Sequence, residues 1–151
     1  MTSHTAPAVL ELRHVGHRRN DLTILREVSW SVGPADRWVV LGPNGSGKTT
    51  LVRIASLWLH PTSGSVRVLG ETLGRTDVRP LRARVGVVSA ALADRLRIDL
   101  SVANVVVTGR RGALEPWWHT YDDHDRERAT LALERVGAAH LGHRLFGTLS
   151  S

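Results

Sequence analysis

The chain has 151 residues, of which 42% are hydrophobic and 23% charged, enough for one folded domain with its own core. It contains no cysteine, which excludes disulfides, zinc–thiolate sites and thiol nucleophiles. No apolar run approaches the roughly 20 residues of a membrane-spanning helix, and the formal charge of +6 lies in arginine clusters without interleaved aromatic residues. We therefore expect a water-soluble protein for which nucleic acid is an unlikely partner.

The amino-terminal part is predicted to contain two strands after a flexible tail at residues 1–8. Residues 8–15 alternate apolar and polar side chains, as in a strand with one solvated face, and residues 24–32 indicate a second strand. The intervening residues 18–21 have the composition of a turn. The pattern predicts two strands with a turn between them.

A glycine-rich loop follows, between a predicted buried strand at residues 38–41 and a predicted helix. It reads GPNGSGKTT from Gly42 to Thr50 and fits the pattern G-x-x-x-x-G-K-(S/T). The chain has twenty Lys and Arg residues, and all except Lys48 in this loop are arginine. A compact ammonium suits a ring of backbone amides better than a planar guanidinium does, so this exception indicates a phosphate-binding loop.

This loop predicts binding of a nucleoside triphosphate with Mg²⁺. Its amides are expected to converge on phosphate oxygens at the start of the helix. Lys48 would reach the β- and γ-phosphates, and the Thr49 hydroxyl would coordinate the metal. The candidate nucleotide-binding residues are Gly42, Pro43, Asn44, Gly45, Ser46, Gly47, Lys48, Thr49 and Thr50. The alternative is a glycine-rich turn that matches by chance, which the order of strand, loop and helix disfavours.

The rest of the chain is predicted to pass from strands to helices. Residues 65–69 and 85–88 indicate strands, the second one buried and parallel, and residues 90–96, 102–108 and 123–136 indicate helices. The last helix has one apolar stripe, made of Ala129, Ala132, Leu133 and Val136. Three tryptophans are expected to be buried, namely Trp30, Trp38 and Trp58.

Two clusters outside the loop have competing explanations. The first is either a metal site or, as we favour, a solvated helix start; it contains His119, Asp122, Asp123, His124 and Asp125. The second, Trp117 with Trp118, either caps a local core, which we favour, or forms a contact patch for a partner subunit.

The class of phosphate-loop protein follows from several ordered motifs. A GTPase needs a second lysine in an N-K-x-D element, and this chain has none. The run GPNGSGKTTL, then PTSG before a valine-rich strand, then helices and a final TLSS resembles the ATP-binding cassette (ABC) ATPases. The resemblance spans residues 9–151.

The resemblance implies an α/β fold: a phosphate-loop NTPase core with an amino-terminal antiparallel β-region and an incomplete sheet. It places the β-region and core at residues 9–88 and part of an inserted helical subdomain at residues 89–151. Arg19 occupies the position of an aromatic residue that stacks on adenine, and Ala90 that of a metal-contacting glutamine. The start of the family's Leu-Ser-x-Gly signature corresponds to Leu149, Ser150 and Ser151.

The function implied is ATP binding and hydrolysis that drives transmembrane transport. The implied partners are a membrane permease subunit and a second ATP-binding subunit, with the protein held at the inner face of the cell membrane through its partner. The acidic strand that carries the general base would follow Ser151, so we expect a truncated sequence whose 151 residues do not turn over ATP. The alternative is a regulatory module that binds nucleotide without transport, with or without nucleic acid.

Overall fold

A computed structural model describes residues 7–116 and 119–149, except for the side chain of Ala91. The predictions for Trp117, Trp118, Ser150 and Ser151, and for most of the amino-terminal tail, lie outside the described residues. The chain divides after Leu81 into two compact units.

The first unit contains a four-stranded antiparallel sheet, which confirms the predicted β-region. Its strands are β1 (Leu10–Arg19), β2 (Leu22–Val32), β3 (Ser63–Val68) and β4 (Glu71–Thr72). They lie in the order β2-β1-β3-β4, and each neighbouring pair is antiparallel. β1 extends four residues beyond the predicted end, because the tight turn at Asn20 and Asp21 lets Arg19 pair directly with Leu22.

Two irregularities keep the apolar side chains of β1 and β2 on one face. His14 and Glu27 both have φ of 48°, and the pairing register shifts next to each of them. Leu12 and Val15 are three residues apart, yet both are buried, since the first bulge restores the inward direction that strict alternation would lose. The sheet therefore presents a continuous apolar face.

Helix α1 (Lys48–Ala55) packs on this face in the first unit. It contacts β1, β2 and β3, and its Ile54 is fully buried. The buried apolar side chains of the unit include Leu12, Val15, Leu25, Ile54, Leu57, Val66 and Val68. Burial of each such side chain contributes about 1.5–3 kcal/mol, so this layer is the main source of stability for the unit.

The prediction of strands at residues 38–41 and 85–88 is wrong for the described residues. Neither segment has strand hydrogen bonding; Val39 and Leu41 are 79% and 86% exposed, and Val88 is fully exposed. A buried parallel strand needs hydrogen-bonded neighbours, and no described segment pairs with either one. Trp38 is accordingly more than half exposed rather than buried, and Trp30 and Trp58 are half-buried.

The second unit is helical. Its α-helices are α3 (Ala90–Ala93), α4 (Val102–Thr108) and α5 (Asp123–Arg135), and a short helix α2 (Val78–Arg82) precedes them and ends one residue past the division. Single 3₁₀ turns occupy Gly109–Arg111, Ala139–Leu141 and Phe146–Thr148. The prediction for α4 is confirmed, whereas α3 ends three residues before the predicted Leu96.

Side-chain caps begin each of the three helices in this unit. Ser89, Ser101 and Asp122 accept hydrogen bonds from the amides of Leu92, Asn104 and Asp125, respectively. α4 packs against α5, where Ala129 and Leu133 of the predicted stripe are buried. Ala132 and Val136 are exposed, so the stripe is narrower than predicted. The described part of the chain has no helix of the length and apolarity required to cross a membrane.

Candidate nucleotide-binding site

The glycine-rich loop ends at the start of α1. Gly47 occupies the N-cap position with φ of 86°, and the first helical hydrogen bond runs from the Leu51 amide to the Gly47 carbonyl at 2.8 Å. No side chain caps this helix, unlike the helices of the second unit. Its first amides therefore remain available to an anion, which the positive end of the helix dipole also favours.

Gly47 fixes the loop against β2. A Cβ atom at this position would lie 2.8 Å from Cδ2 of Leu25 and 2.9 Å from the carbonyl oxygen of Ile24. Only glycine fits such a gap, and only glycine adopts its φ without strain. Gly45 has a similar φ of 82°, but an added Cβ would meet no atom within 4 Å. Glycine is therefore required at position 47 by both packing and backbone conformation, whereas at position 45 it is required by backbone conformation alone.

The ammonium of Lys48 lies inside the loop. Its Nζ donates to the carbonyl oxygens of Gly42 at 2.8 Å and Pro43 at 2.7 Å. The Ser46 amide donates to the Pro43 carbonyl at 3.3 Å, which closes the turn through Asn44 and Gly45. These contacts place a positive charge beside the uncapped start of α1.

The loop also supplies hydroxyl groups. Thr49 is exposed and Thr50 half-buried, and neither hydroxyl makes a hydrogen bond among the described residues. A free hydroxyl in the first helical turn is the ligand that a phosphate-bound Mg²⁺ requires. The residues present therefore fit a magnesium–triphosphate ligand.

Two other predicted positions lie outside the loop itself. Arg19 is exposed at the end of β1, and no hydrogen bond or ion pair joins it to residues 42–50 within the described ranges. Ala90 begins α3, and the hydroxyl oxygen of the preceding Ser89 accepts the Leu92 amide at 3.1 Å. That oxygen is engaged in capping the helix.

The acidic cluster of the second unit is engaged in ion pairing and capping. Ligand atoms of Asp122, His124 and Asp125 lie within 4.8 Å of one another. However, Arg110 Nε donates to Oδ1 of Asp125 at 2.9 Å, and Oδ1 of Asp122 accepts the Asp125 amide at 2.7 Å. The bond from Arg110 lowers the pKa of Asp125, which is only 6% exposed. These contacts favour the helix-start explanation over a metal site.

The β2 residues that support the loop could not be predicted from the sequence. Ile24 and Leu25 are more than twenty residues from Gly47 in the chain, and they contact it only because α1 packs on the sheet. Their apolar character indicated a strand but gave no sign of which element lies against it.

The chain is similar to known proteins in both sequence and fold. Residues 25–151 match the sequence family described as ABC transporter. The chain is 32% identical over 142 residues to the uncharacterized ABC transporter ATP-binding protein YmeB of Lactococcus lactis, covering 94% of this chain and 54% of that protein. It is 38% identical over 122 residues to the phosphonates import ATP-binding protein PhnC 1 of Rhodopseudomonas palustris, covering 75% and 42%.

Among solved structures, the ATP-binding cassette MJ0796, a dimer bound to ADP and Pi, superposes with a TM-score of 0.72 at 19% identity. The superposition covers 93% of this chain and 63% of that one. At this identity the likeness shows the fold alone. The chain spans about half the length of the curated relatives it matches.

Proposed function

The chain belongs to the ABC transporter family, and on that basis we propose that its protein binds Mg·ATP at the 42–50 loop and hydrolyses it to drive transmembrane transport. One observation carries the proposal: the ammonium of Lys48 is held by two carbonyls beside the uncapped start of α1. A positive charge next to free amides is the arrangement that a triphosphate needs.

Each loop residue has a role in this proposal. The backbone amides of residues 44–49 surround the phosphates, and Lys48 neutralises the charge on the β- and γ-phosphate oxygens. Thr49 gives its hydroxyl to Mg²⁺. Arg19 stacks its guanidinium plane on the adenine. The signature segment that begins at Leu149 binds the γ-phosphate of a nucleotide held by a second ATP-binding subunit.

The proposed transport role also implies a partner protein and a separate role for each part of the chain. The relative from Rhodopseudomonas palustris is named as an import ATP-binding protein, which supports a membrane permease as partner and a place at the inner face of the membrane. Residues 9–88 would hold the nucleotide, and residues 89–151 would form part of the helical subdomain.

Calorimetry tests the proposal on the full-length polypeptide, by which we mean the whole protein including any residues that follow Ser151. Lys48→Ala should weaken Mg·ATP binding by about 10- to 100-fold, because charge-assisted hydrogen bonds contribute about 1.5–3 kcal/mol. Arg53→Ala is the matched control, since it removes an exposed positive charge from the other end of α1. Equal Mg·ATP affinity in the parent and Lys48→Ala would contradict the proposal, as would a parent that hydrolyses no ATP.

A further inference from the structure

Residues 144–147 run beside residues 98–102 in the second unit, and we call them the 144–147 strip. Ser101 and Leu145 form an isolated antiparallel bridge between the two segments. Three backbone hydrogen bonds join them: Val102 amide to Arg144 carbonyl at 2.9 Å, Phe146 amide to Leu100 carbonyl at 2.8 Å, and Gly147 amide to Ile98 carbonyl at 3.0 Å. The strip is thus tied to the residues that lead into α4.

Gly147 makes the tightest approach in this pairing. A Cβ atom on Gly147 would lie 2.6 Å from Cβ of Ile98, 3.1 Å from its carbonyl oxygen and 3.3 Å from its Cα. Gly147 does not have a positive φ, so the space beside Ile98 and not the backbone conformation requires glycine. Because the nearest atoms are Cβ and backbone, no rotation of the Ile98 side chain can relieve the overlap.

Hydrogen bonds connect the 144–147 strip to Thr148 and Leu149, the residues that follow it. The Thr148 hydroxyl donates to the Leu145 carbonyl at 2.7 Å, and the Leu149 amide donates to the Phe146 carbonyl at 3.1 Å. The guanidinium of Arg144 donates to the Thr148 carbonyl at 3.2 Å. A displacement of Gly147 away from Ile98 would therefore move Leu149 with it.

We propose that Gly147 is a positioning residue for ATP turnover, because its close contact with Ile98 sets the place of Leu149 at the start of the signature segment. The inference rests on the proposed function, in which that segment binds the γ-phosphate. Overlap at 2.6 Å requires the strip or the segment of Ile98 to shift, and either movement changes the position of Leu149 relative to Ile98. A displacement of about 1 Å in a reacting site can lower the rate about 100-fold.

The test compares two glycine substitutions in the full-length polypeptide. Gly147→Ala should lower kcat about tenfold or more and leave the Kd for Mg·ATP unchanged, since the Lys48 loop belongs to the other unit. Gly109→Ala is the matched control, because Gly109 has φ of −57° and a Cβ there would meet no atom within 4 Å. It should keep the parent kcat. If Gly147 had a purely structural role, Gly147→Ala would reduce the thermal midpoint, and kcat would not fall independently of the Kd.

A compensating variant tests whether the overlap with Ile98 causes the loss of kcat. Ile98→Gly, combined with Gly147→Ala, removes Cβ of Ile98, the only one of the three atoms that lies closer than 3 Å to the added methyl group, and it should restore kcat. The inference is overturned if Gly147→Ala keeps the parent kcat, or if the double variant folds without recovery. It is also overturned if both Gly147→Ala and the double variant fail to fold, because the overlap is then not the cause. A parent without ATP turnover instead contradicts the proposed function, and the inference with it.

Discussion

Nζ of Lys48 lies 2.7 Å from the carbonyl oxygen of Pro43, five residues earlier in the same loop. The same ammonium lies 2.8 Å from the Gly42 carbonyl, so two carbonyls converge on one small cation. A compact ammonium can rotate its three donors to satisfy both acceptors, whereas a guanidinium holds its donors in a rigid plane. The geometry explains why lysine stands here in a chain whose other basic residues are all arginine.

Lys48→Arg should therefore lower Mg·ATP affinity about tenfold or more, although the net charge does not change. Titration calorimetry measures the affinity, and Arg53→Lys serves as the reverse exchange at an exposed position of α1. We expect the control to bind like the parent. Native affinity in Lys48→Arg would show that charge alone matters at this position.

Gly47→Ala should destabilise the chain by about 2–4 kcal/mol, the sum of left-handed strain and overlap with Leu25 and Ile24. Gly45→Ala has a similar φ but open space around the new methyl group, so we expect a loss of about 1 kcal/mol. Urea unfolding of the two variants measures the difference. Equal losses would mean that the contact with β2 does not constrain the loop.

Asp125→Asn should lower stability at pH 7, and the deficit should shrink in acid. The hydrogen bond from Arg110 lowers the pKa of Asp125 in the folded chain, so the pair stabilises fully above about pH 5. The stabilisation by this ion pair is lost as the pH falls through the pKa that Asp125 has in the folded chain. Thermal unfolding between pH 7 and pH 2 measures it, with Asp94→Asn as the control because Asp94 is exposed and has no ion pair among the described residues. A deficit that is constant across this range would contradict the pairing.

The exposed apolar residues 38–41 should cause the 151-residue polypeptide to self-associate. Val39 is 79% exposed within this run, and contiguous apolar surface of this kind is buried by association. Val39→Glu should reduce the weight-average mass in sedimentation equilibrium. Leu22→Glu is the control, since Leu22 is 69% exposed at the start of β2 but is not part of a run of exposed apolar residues. A parent that stays monomeric at high concentration would contradict this expectation.

Local patterns predicted the β-hairpin, the loop and α4, because each depends on residues close in sequence. The alternation in β1 and the spacing of Gly42, Gly47 and Lys48 are visible without knowledge of any partner. Residues 38–41 and 85–88 have the same apolar composition as parallel strands, but their hydrogen bonds depend on segments elsewhere. No local signal distinguishes a paired segment from an unpaired one.

Close packing between residues far apart in the sequence could not be predicted either. Nothing in the sequence around Gly147 shows that Ile98 lies against it, because the two residues are almost fifty positions apart and meet through backbone hydrogen bonds. Glycine within a 3₁₀ turn suggests conformational freedom as readily as a steric limit. Only the position of the neighbouring segment separates these explanations.

Lys48 also gives the chain an unusual chemical property, because it carries the only side-chain amine. Acylating reagents that select amines thus have a single side-chain target, and that target lies half-buried between two carbonyls. The rate of acylation would follow the state of the loop directly, without any introduced probe.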